Sequence, residues 1–256
     1  ASLQQRIYIM QKKLFAIICL SLSLSVSAGG HKERKHMSSF SLPADIPNGA
    51  FTTLNISAKN PKAYTDYIAS NPALFESIGS IAAGVCVTQT GQDYPGQMFV
   101  WNAFDSVKSA MEGLTKYDPA MAPKKLSAMR DIKTSAVWKP LKKFDVAPGY
   151  ERVTRVMVRP GRLSAFVAAA TQMENEAQAA GLNVQIGVFA PIGGGREETG
   201  TLTVRFVQPS ASEMGQGLDN FFSSEISPES GFAKMISMMR PINDTIEVCQ
   251  QIYSAS

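Results

Sequence analysis

The chain has 256 residues, of which 45% are hydrophobic and 18% are charged, with 19 Gly, 14 Pro and 3 Cys. These values exclude an intrinsically disordered chain, a coiled coil, a collagen and a small disulfide-dense scaffold, and they fit one large domain or two smaller ones. The formal net charge is +4, but three of the bases lie in residues 1–28, which contain no acid. Because the remainder has 22 bases and 21 acids, no nucleic-acid partner is expected.

Residues 1–28 have the features of a secretory signal peptide preceded by a few upstream residues. A basic head at Lys12 and Lys13 is followed by an apolar, Ser-rich run over residues 14–26 and by small residues up to Ala28. The apolar run has 13 residues, whereas a membrane-spanning helix needs about 20, so no stable membrane anchor is expected. We therefore predict a periplasmic or secreted protein, cleaved near Ala28.

Residues 29–50 are predicted to form a flexible leader, because they are rich in polar residues and include a Ser- and Pro-bearing stretch. Both histidines of the chain, His31 and His36, lie in this segment. No Cys, Asp or Glu cluster surrounds them at ligand spacing, so the leader indicates a solvated tether and no metal site.

From residue 51 the pattern is strand, helix, strand, strand, helix, strand, and from residue 151 the same order is repeated. In the first half strands are predicted over residues 52–58, 82–89, 98–104 and 133–141, with one helix from residue 60 to about 78 and another from Ser106. In the second half strands are predicted over residues 152–159, 183–190, 201–208 and 245–253, with helices over residues 163–180 and after Ser210. Pro148-Gly149 separates two repeats, 51–147 and 148–256.

A four-stranded sheet with helices on one face must cover its other face, and two such sheets facing each other achieve this. In the order and length of these elements, residues 51–256 resemble the dimeric α+β barrel superfamily, which includes the antibiotic-biosynthesis monooxygenases. The chain looks like a tandem version, in which one chain supplies both halves, and is similar in plan to uncharacterised ferredoxin-like barrel proteins from marine bacteria. The resemblance implies an α+β fold with two tandem ferredoxin-like βαββαβ repeats packed as one barrel.

The two halves carry opposite charge, because residues 51–147 have 11 bases and 8 acids and residues 148–256 have 8 bases and 11 acids. Opposite net charges favour association of the halves. Drift in surface composition explains the difference equally well, so both interpretations stay open.

Strand alternation predicts a charged barrel wall in the second half. Arg155, Arg205 and Glu247 lie on its first, third and fourth strands, all with barrel-facing parity. Buried charges need partners, so the pattern indicates either a self-satisfied ion-pair network or a site for an acidic group held by arginine, with Glu247 as the counter-charge of both arginines.

The predicted wall of the first half is neutral and includes Asn55, Phe99 and Trp101. A small-polar and aromatic wall facing an arginine-bearing wall favours a site for an amphipathic small molecule with an acidic group. The alternative is that Phe99 and Trp101 are ordinary core residues.

Cys86 and Cys249 form a candidate disulfide once the signal peptide with Cys19 is removed. In barrels of the resembled type, the last strand of one half lies against the second strand of the other, and these cysteines lie on those two strands. The resemblance therefore implies a bond between the halves. The alternative is two small buried thiols.

Several chemistries are not expected in the barrel. With both histidines in the leader, a Ser-His-Asp triad, a zinc site and a histidine-ligated haem are excluded, so haem-binding relatives are poor guides and no cofactor is predicted. Gly193-Gly194-Gly195 is interpreted as a flexible hairpin and not a phosphate loop. Glu197-Glu198 and Glu174 with Glu176 are interpreted as solvated surface.

Together these features predict a small-molecule-binding protein with an anionic or amphipathic organic ligand in the barrel interior. One alternative, implied by the resemblance, is a cofactor-independent monooxygenase or isomerase. Another is a structural or partner-binding domain with a filled barrel. The sequence leaves open a further assembly into a homo-oligomer.

Overall fold

The computed structural model describes residues 41–255, all within one compact unit. The predicted signal peptide, Cys19, His31, His36 and most of the predicted leader lie outside the described residues. Within them, no helix is both long enough and apolar enough to cross a membrane.

The first half contains four strands and four helices in chain order. They are β1 (Ala50–Ala58), α1 (Pro61–Ala69), α2 (Ala73–Glu76), β2 (Ala82–Thr90), β3 (Gln97–Phe104), α3 (Val107–Lys116), α4 (Lys124–Ala128) and β4 (Arg130–Pro140). A single turn of 3-10 helix, Pro119–Met121, precedes α4.

The second half also contains four strands and four helices. They are β5 (Gly149–Val158), α5 (Leu163–Ala179), β6 (Gln185–Ile192), α6 (Gly195–Glu198), β7 (Leu202–Gln208), α7 (Ala211–Ser223), α8 (Gly231–Met238) and β8 (Met239–Ser254).

All eight strands belong to one closed antiparallel barrel with the order β1-β3-β2-β8-β5-β7-β6-β4. The predicted α+β barrel is therefore confirmed at the level of a closed eight-stranded barrel. Within each half the spatial order of the strands is fourth, first, third, second.

The halves meet at two seams of different length. The β2–β8 seam runs from Ala82 opposite Ser254 to Thr90 opposite Ile246. The β4–β6 seam has only four residue pairs, from Val137 opposite Ile192 to Pro140 opposite Phe189. Because backbone hydrogen bonds close both seams, the barrel has no open edge.

The helices pack on the outward-facing side chains of the strands and divide the apolar core between the halves. In the first half Tyr64 and Ile68 of α1 pack with Ile56 and Val85. In the second half Phe166 of α5 packs with strand residues that alternate with the cavity-facing positions, namely Val156, Ile186, Val188 and Val204. This alternation leaves the opposite parity of every strand facing the interior.

Local signals explain where the helices begin. The Asn60 side chain accepts a hydrogen bond from the Ala63 amide at 3.0 Å, and Pro61 occupies the first helical position. The Ser210 hydroxyl accepts from the Glu213 amide at 3.2 Å, which satisfies a free N–H at the start of α7.

Two predicted elements need correction. The helix predicted from residue 60 to about 78 is broken into α1 and α2, because Pro72 lacks an N–H and cannot continue the hydrogen-bonding of α1. The last strand begins at Met239 and not at residue 245, since its first residues pair with the end of β5, where Val158 lies opposite Met239.

The hypothesis that Glu174 is solvated is wrong. Its carboxylate forms an ion pair with Lys142 at 2.8 Å, with side-chain exposures of 17% and 8%. Lys142 also donates to the Ile186 carbonyl at 2.6 Å. This pair connects the segment after β4 to α5 and β6, and among the ion pairs of residues 41–255 it is the one that joins the two halves.

Candidate functional site

The interior of the barrel holds a cavity of about 740 Å³. Both tryptophans of the chain, Trp101 and Trp138, line it. The other aromatic lining residues are Phe51, Tyr94, Phe99, Phe144 and Phe189. A volume of this size is that of a small-molecule site, which argues against the filled barrel that the sequence left as an alternative.

All five predicted binding residues, Asn55, Trp101, Arg155, Arg205 and Glu247, line this cavity. They come from five different strands, β1, β3, β5, β7 and β8. The structure therefore brings them to one space, although it pairs Glu247 with Arg205 only and not with Arg155.

Arg205 is held by two buried carboxylates. Its Nε lies 2.5 Å from Glu151 Oε2, and its Nη2 lies 2.7 Å from Glu247 Oε2. The side chains of Glu151 and Glu247 are only 6% and 7% exposed, and the guanidinium also lies over the Phe99 ring at 5.1 Å. Arg205 is thus already satisfied by the wall it belongs to.

Burial raises the pKa of Glu151 above the ordinary glutamate value, the neighbouring Glu247 raises it further, and the Arg205 charge opposes both effects. Two carboxylates that share one guanidinium cannot both be fully compensated. Glu151 is therefore the member of this cluster that retains a proton to higher pH than an exposed glutamate.

Arg155 is paired with Glu198 and not with Glu247. Its Nη2 lies 2.6 Å from Glu198 Oε1, and its Nη1 lies 3.9 Å from Glu197. The prediction that Glu247 neutralises both arginines is wrong for Arg155. Glu247 lies opposite Glu151 in the β5–β8 ladder, and Glu151 precedes Arg155 by four residues along β5.

The hypothesis that Glu197-Glu198 is solvated is wrong for Glu198, whose side chain is only 6% exposed. The segment after β6 is not an open hairpin, because α6 begins at Gly195 and turns Glu198 toward Arg155. Gly194 permits this turn, since a Cβ there would lie 2.5 Å from Glu198 Cβ. Burial raises the pKa of Glu198, and the Arg155 charge opposes this effect.

The wall contributed by the first half carries no net charge, because its charged lining residues in the described part of the chain are Asp93 and Lys133, and its other polar groups hydrogen-bond to one another. Asn55 Nδ2 donates to Thr134 Oγ1 at 2.9 Å, and Trp138 Nε1 donates to Thr53 Oγ1 at 2.8 Å. Trp101 lies opposite Gly84, where a Cβ would come within 2.3 Å of the indole ring. Glycine at position 84 therefore leaves the space that Trp101 occupies.

The position of Trp101 is consistent both with a residue that contacts a ligand and with an ordinary core residue. It packs in a buried cluster with Cys86, Ala103 and Cys249, and it also lines the cavity. Its ring forms an edge contact with Phe51 at 6.4 Å.

Cys86 and Cys249 lie directly opposite each other in the β2–β8 ladder, and the structure joins them by a disulfide. Arg205 Nη2 lies 3.6 Å from Cys86 Sγ and 3.5 Å from Cys249 Sγ. The disulfide is thus part of the cavity wall and touches the charged cluster.

The residues around the cavity do not fit a haem or a metal ion. Among residues 41–255, the lining contains no histidine, which is the usual haem ligand and a common metal ligand. Cys86, Cys249 and Glu151 bring possible metal ligands within 4.8 Å of one another, but the two sulfurs are bonded to each other and Glu151 is engaged by Arg205.

Sequence reasoning missed several lining residues, most importantly Glu151, Glu198 and Trp138. Glu151 has the parity of Arg155, but the predicted strand began at residue 152, so alternation was not extended to it. Trp138 lies inside a predicted strand, where its parity relative to the cavity could have been read. No local signal indicated that Glu198 would fold inward.

Comparison with known proteins supports the fold but not an activity. No family model matches the chain, and no curated protein matches it in sequence. Among solved structures, one described as a "putative monooxygenase" from Lactobacillus acidophilus NCFM has 10% identity and a TM-score of 0.54, over 80% of this chain and 95% of the other.

A mutant chlorite dismutase from Candidatus Nitrospira defluvii has 10% identity and a TM-score of 0.50, over 80% of this chain and 92% of the other. An anthrone oxidase-like protein has 10% identity and a TM-score of 0.48, over 81% and 96%. At this identity the similarity to the structures with TM-scores of 0.54 and 0.50 establishes a shared α+β barrel fold and nothing finer.

Proposed function

We propose that this protein binds a small amphipathic organic molecule inside its barrel, as a secreted or periplasmic binding protein. The observation that carries the proposal is the cavity of about 740 Å³, which combines aromatic side chains, most of them from the first half, with hydrogen-bonding groups from both halves. Apolar surface with a few convergent polar groups is the usual composition of a small-molecule site.

The charges of the cavity favour a neutral ligand over an anion. Its lining contains five acids and three bases, and both arginines already have carboxylate partners. An anion at either arginine would have to displace one of these buried partners, which leaves a carboxylate unpaired. The third base, Lys133, lies over the Tyr94 ring at 5.2 Å, and the acids of the lining outnumber the bases. We therefore retain the amphipathic part of the sequence prediction and narrow it to an uncharged molecule that can hydrogen-bond to the ion pairs.

We also infer that the two halves are tandem ferredoxin-like βαββαβ repeats with boundaries near residues 51–147 and 148–256. The support is the same relative order of four strands in each half of the barrel and the break at Pro148-Gly149. This arrangement provides two walls of independent composition from one chain.

Titration with N-phenylnaphthylamine, a neutral amphipathic fluorophore, tests the binding proposal. We expect saturable emission with one dye per chain. Thr203 lines the cavity, so Thr203→Trp should abolish binding by filling it. Thr115→Trp on the exposed surface of α3 is the control and should bind as the original protein does. Equal binding by all three proteins would contradict an interior site.

A second candidate is a cofactor-independent oxygenase, which one specific observation favours. Such chemistry needs a base or acid at the substrate, and Glu151 is a cavity carboxyl group whose pKa is raised by burial. The structure with a TM-score of 0.54 is described as a monooxygenase of the same fold. Oxygen-electrode measurements with a panel of phenols and quinols test it: uptake that Glu151→Gln abolishes supports this candidate, and no uptake rejects it.

Localisation and assembly stay predictions with simple tests. Fractionation of expressing cells should place a chain cleaved near Ala28 in the periplasm or medium. An interface in a homo-oligomer would bury the side chains of Phe222 and Met121, which are 79% and 82% exposed. Light scattering of the purified protein measures the mass of the assembly.

A further inference from the structure

The proposed binding function does not use the two sulfur atoms of the cavity wall. Cys86 and Cys249 both line the cavity, although a bond that only joined the seam could lie on the outward face of β2 and β8. Their sulfurs instead lie 3.6 and 3.5 Å from Arg205 Nη2. A Glu151 carboxylate oxygen lies within 4.8 Å of both.

In the reduced protein these groups would form a reaction centre with complementary parts. A guanidinium beside a sulfur favours the thiolate, which is the nucleophilic form of cysteine. A buried glutamate whose pKa is raised, as burial raises that of Glu151, can act as a general acid at the same point. The second cysteine is already at bonding distance, and the aromatic wall of Phe99 and Trp101 can hold an organic group.

We propose that Cys86 and Cys249, when reduced, form a dithiol centre that reduces organic hydroperoxides bound in the barrel cavity, with Arg205 stabilising the thiolate and Glu151 donating a proton. The disulfide of the structure is the oxidised product of this reaction. The substrate class is a hydroperoxide with an apolar organic group, and the co-reactant that restores the dithiol is a small dithiol reductant.

The reaction balances in two steps. The thiolate attacks the terminal oxygen of the hydroperoxide, an S–O bond forms, the O–O bond breaks, and the departing alkoxide takes a proton from Glu151. The second thiol then attacks the sulfenic acid sulfur, the S–S bond forms and water leaves, its hydroxyl from the sulfenic acid and its proton from the second thiol. The two sulfurs together supply two electrons, and the peroxide becomes an alcohol and water.

The inference rests on the cavity of the proposed function, but the two can fail separately. Dye binding is measured on the oxidised protein and needs no thiol. The Cys86→Ser, Cys249→Ser double variant should bind N-phenylnaphthylamine and have no reactivity with peroxide. Dye binding without any peroxide reaction would leave the binding proposal intact and overturn this one.

The test uses the full chain with Cys19→Ser, so that the barrel thiols alone are counted. The protein is reduced with dithiothreitol, freed of reductant and mixed with cumene hydroperoxide. We expect about one equivalent of peroxide to be consumed per chain while both thiols disappear. The rate should exceed that of the same protein unfolded in urea by on the order of 100-fold, the size of a general-acid contribution.

Single variants identify the steps. One of Cys86→Ser and Cys249→Ser should consume peroxide and stop at a sulfenic acid that dimedone traps, and the other should be inert. Glu151→Gln should lower the rate by on the order of 100-fold, the general-acid contribution, while the circular dichroism of the barrel stays unchanged, which a merely structural role of Glu151 would not produce.

Three results overturn the proposal. The first is that the thiols of the folded protein react no faster than those of the unfolded one. The second is that neither single variant gives a sulfenic acid. The last is that reduction alone abolishes dye binding and the circular dichroism of the barrel. The last result counts because the centre requires a closed barrel in its reduced state.

Discussion

The two walls of the barrel come from the same order of elements but have different chemistry. The first half presents mainly neutral side chains such as Thr53, Asn55 and Trp101, with Asp93 and Lys133 as its described charged lining residues. The second presents Arg155 and Arg205 with their buried carboxylate partners. Strand alternation gives each half an inward face, but it does not dictate what that face carries. A barrel closed from two unequal halves can therefore separate apolar contact from charge within one cavity.

The difference also separates stability from binding. The arginines of the second wall are already compensated, so their largest contribution is to hold β5, β7 and β8 together around buried carboxylates. The aromatic groups of the first wall face the cavity and are available to a ligand. We expect damage to the charged wall to unfold the protein and damage to the neutral wall to alter binding.

The largest expected effect follows from removing the disulfide that joins the two halves across the β2–β8 seam. Replacing both cysteines by alanine in a Cys19→Ser background removes a bridge that closes a loop with a sequence separation of 163 residues. The chain-entropy model puts the loss of unfolding free energy at about 5 kcal/mol. Urea unfolding of the variant and of the oxidised parent measures it, and equal midpoints would contradict the bridge.

Breaking the charged wall should be nearly as costly. Arg205→Met leaves Glu151 and Glu247 buried without their shared cation, which typically destabilises a fold by about 3 to 5 kcal/mol. The control is Arg152→Met on the same sheet, because Arg152 pairs with Asp244 at exposures of 38% and 44%. An exposed pair contributes about 0 to 1 kcal/mol, and similar losses in both variants would refute the distinction between the buried cluster around Arg205 and an exposed ion pair.

The smallest effect is a change in the pH dependence of stability. Because the pKa of Glu151 is raised in the folded protein, the proton that Glu151 binds contributes to the free energy of unfolding, and this contribution is fully present below the ordinary glutamate pKa. It is lost as pH rises from there through the folded value, since the folded state binds the extra proton. Glu151→Gln should therefore lose less stability over this window.

Unfolding free energies measured at several pH values from about 4.5 upward give the comparison. Glu225 is exposed in the segment that follows α7, so Glu225→Gln is the control and should follow the original protein. Parallel curves for Glu151→Gln and the original protein would show that Glu151 carries no excess proton.

The barrel could be predicted from the sequence because its main determinants are local. The alternation of apolar and polar residues in β1, β2, β3, β5 and β7 defines strand and parity together, and parity alone directs Arg205, Glu247 and Trp101 to the interior. The caps at Asn60 and Ser210 likewise depend on a few neighbouring residues.

The ion-pair partners could not be predicted, because they depend on registers and turns that join distant segments. Glu151 meets Glu247 only through the β5–β8 register, and Glu198 reaches Arg155 only because α6 folds back after Gly194. The Lys142–Glu174 pair depends on how α5 docks beside β6. In each case the charge was visible in the sequence but its neighbour was not.

The most direct test of the binding account uses the two tryptophans of the chain, since both line the cavity. A proton–nitrogen correlation spectrum should contain two indole N–H signals, from Trp101 and from Trp138, which donates to Thr53. Addition of N-phenylnaphthylamine should shift both signals in step with dye emission, and Thr203→Trp should abolish these shifts. Dye binding that leaves both indole signals in place would contradict an interior binding site.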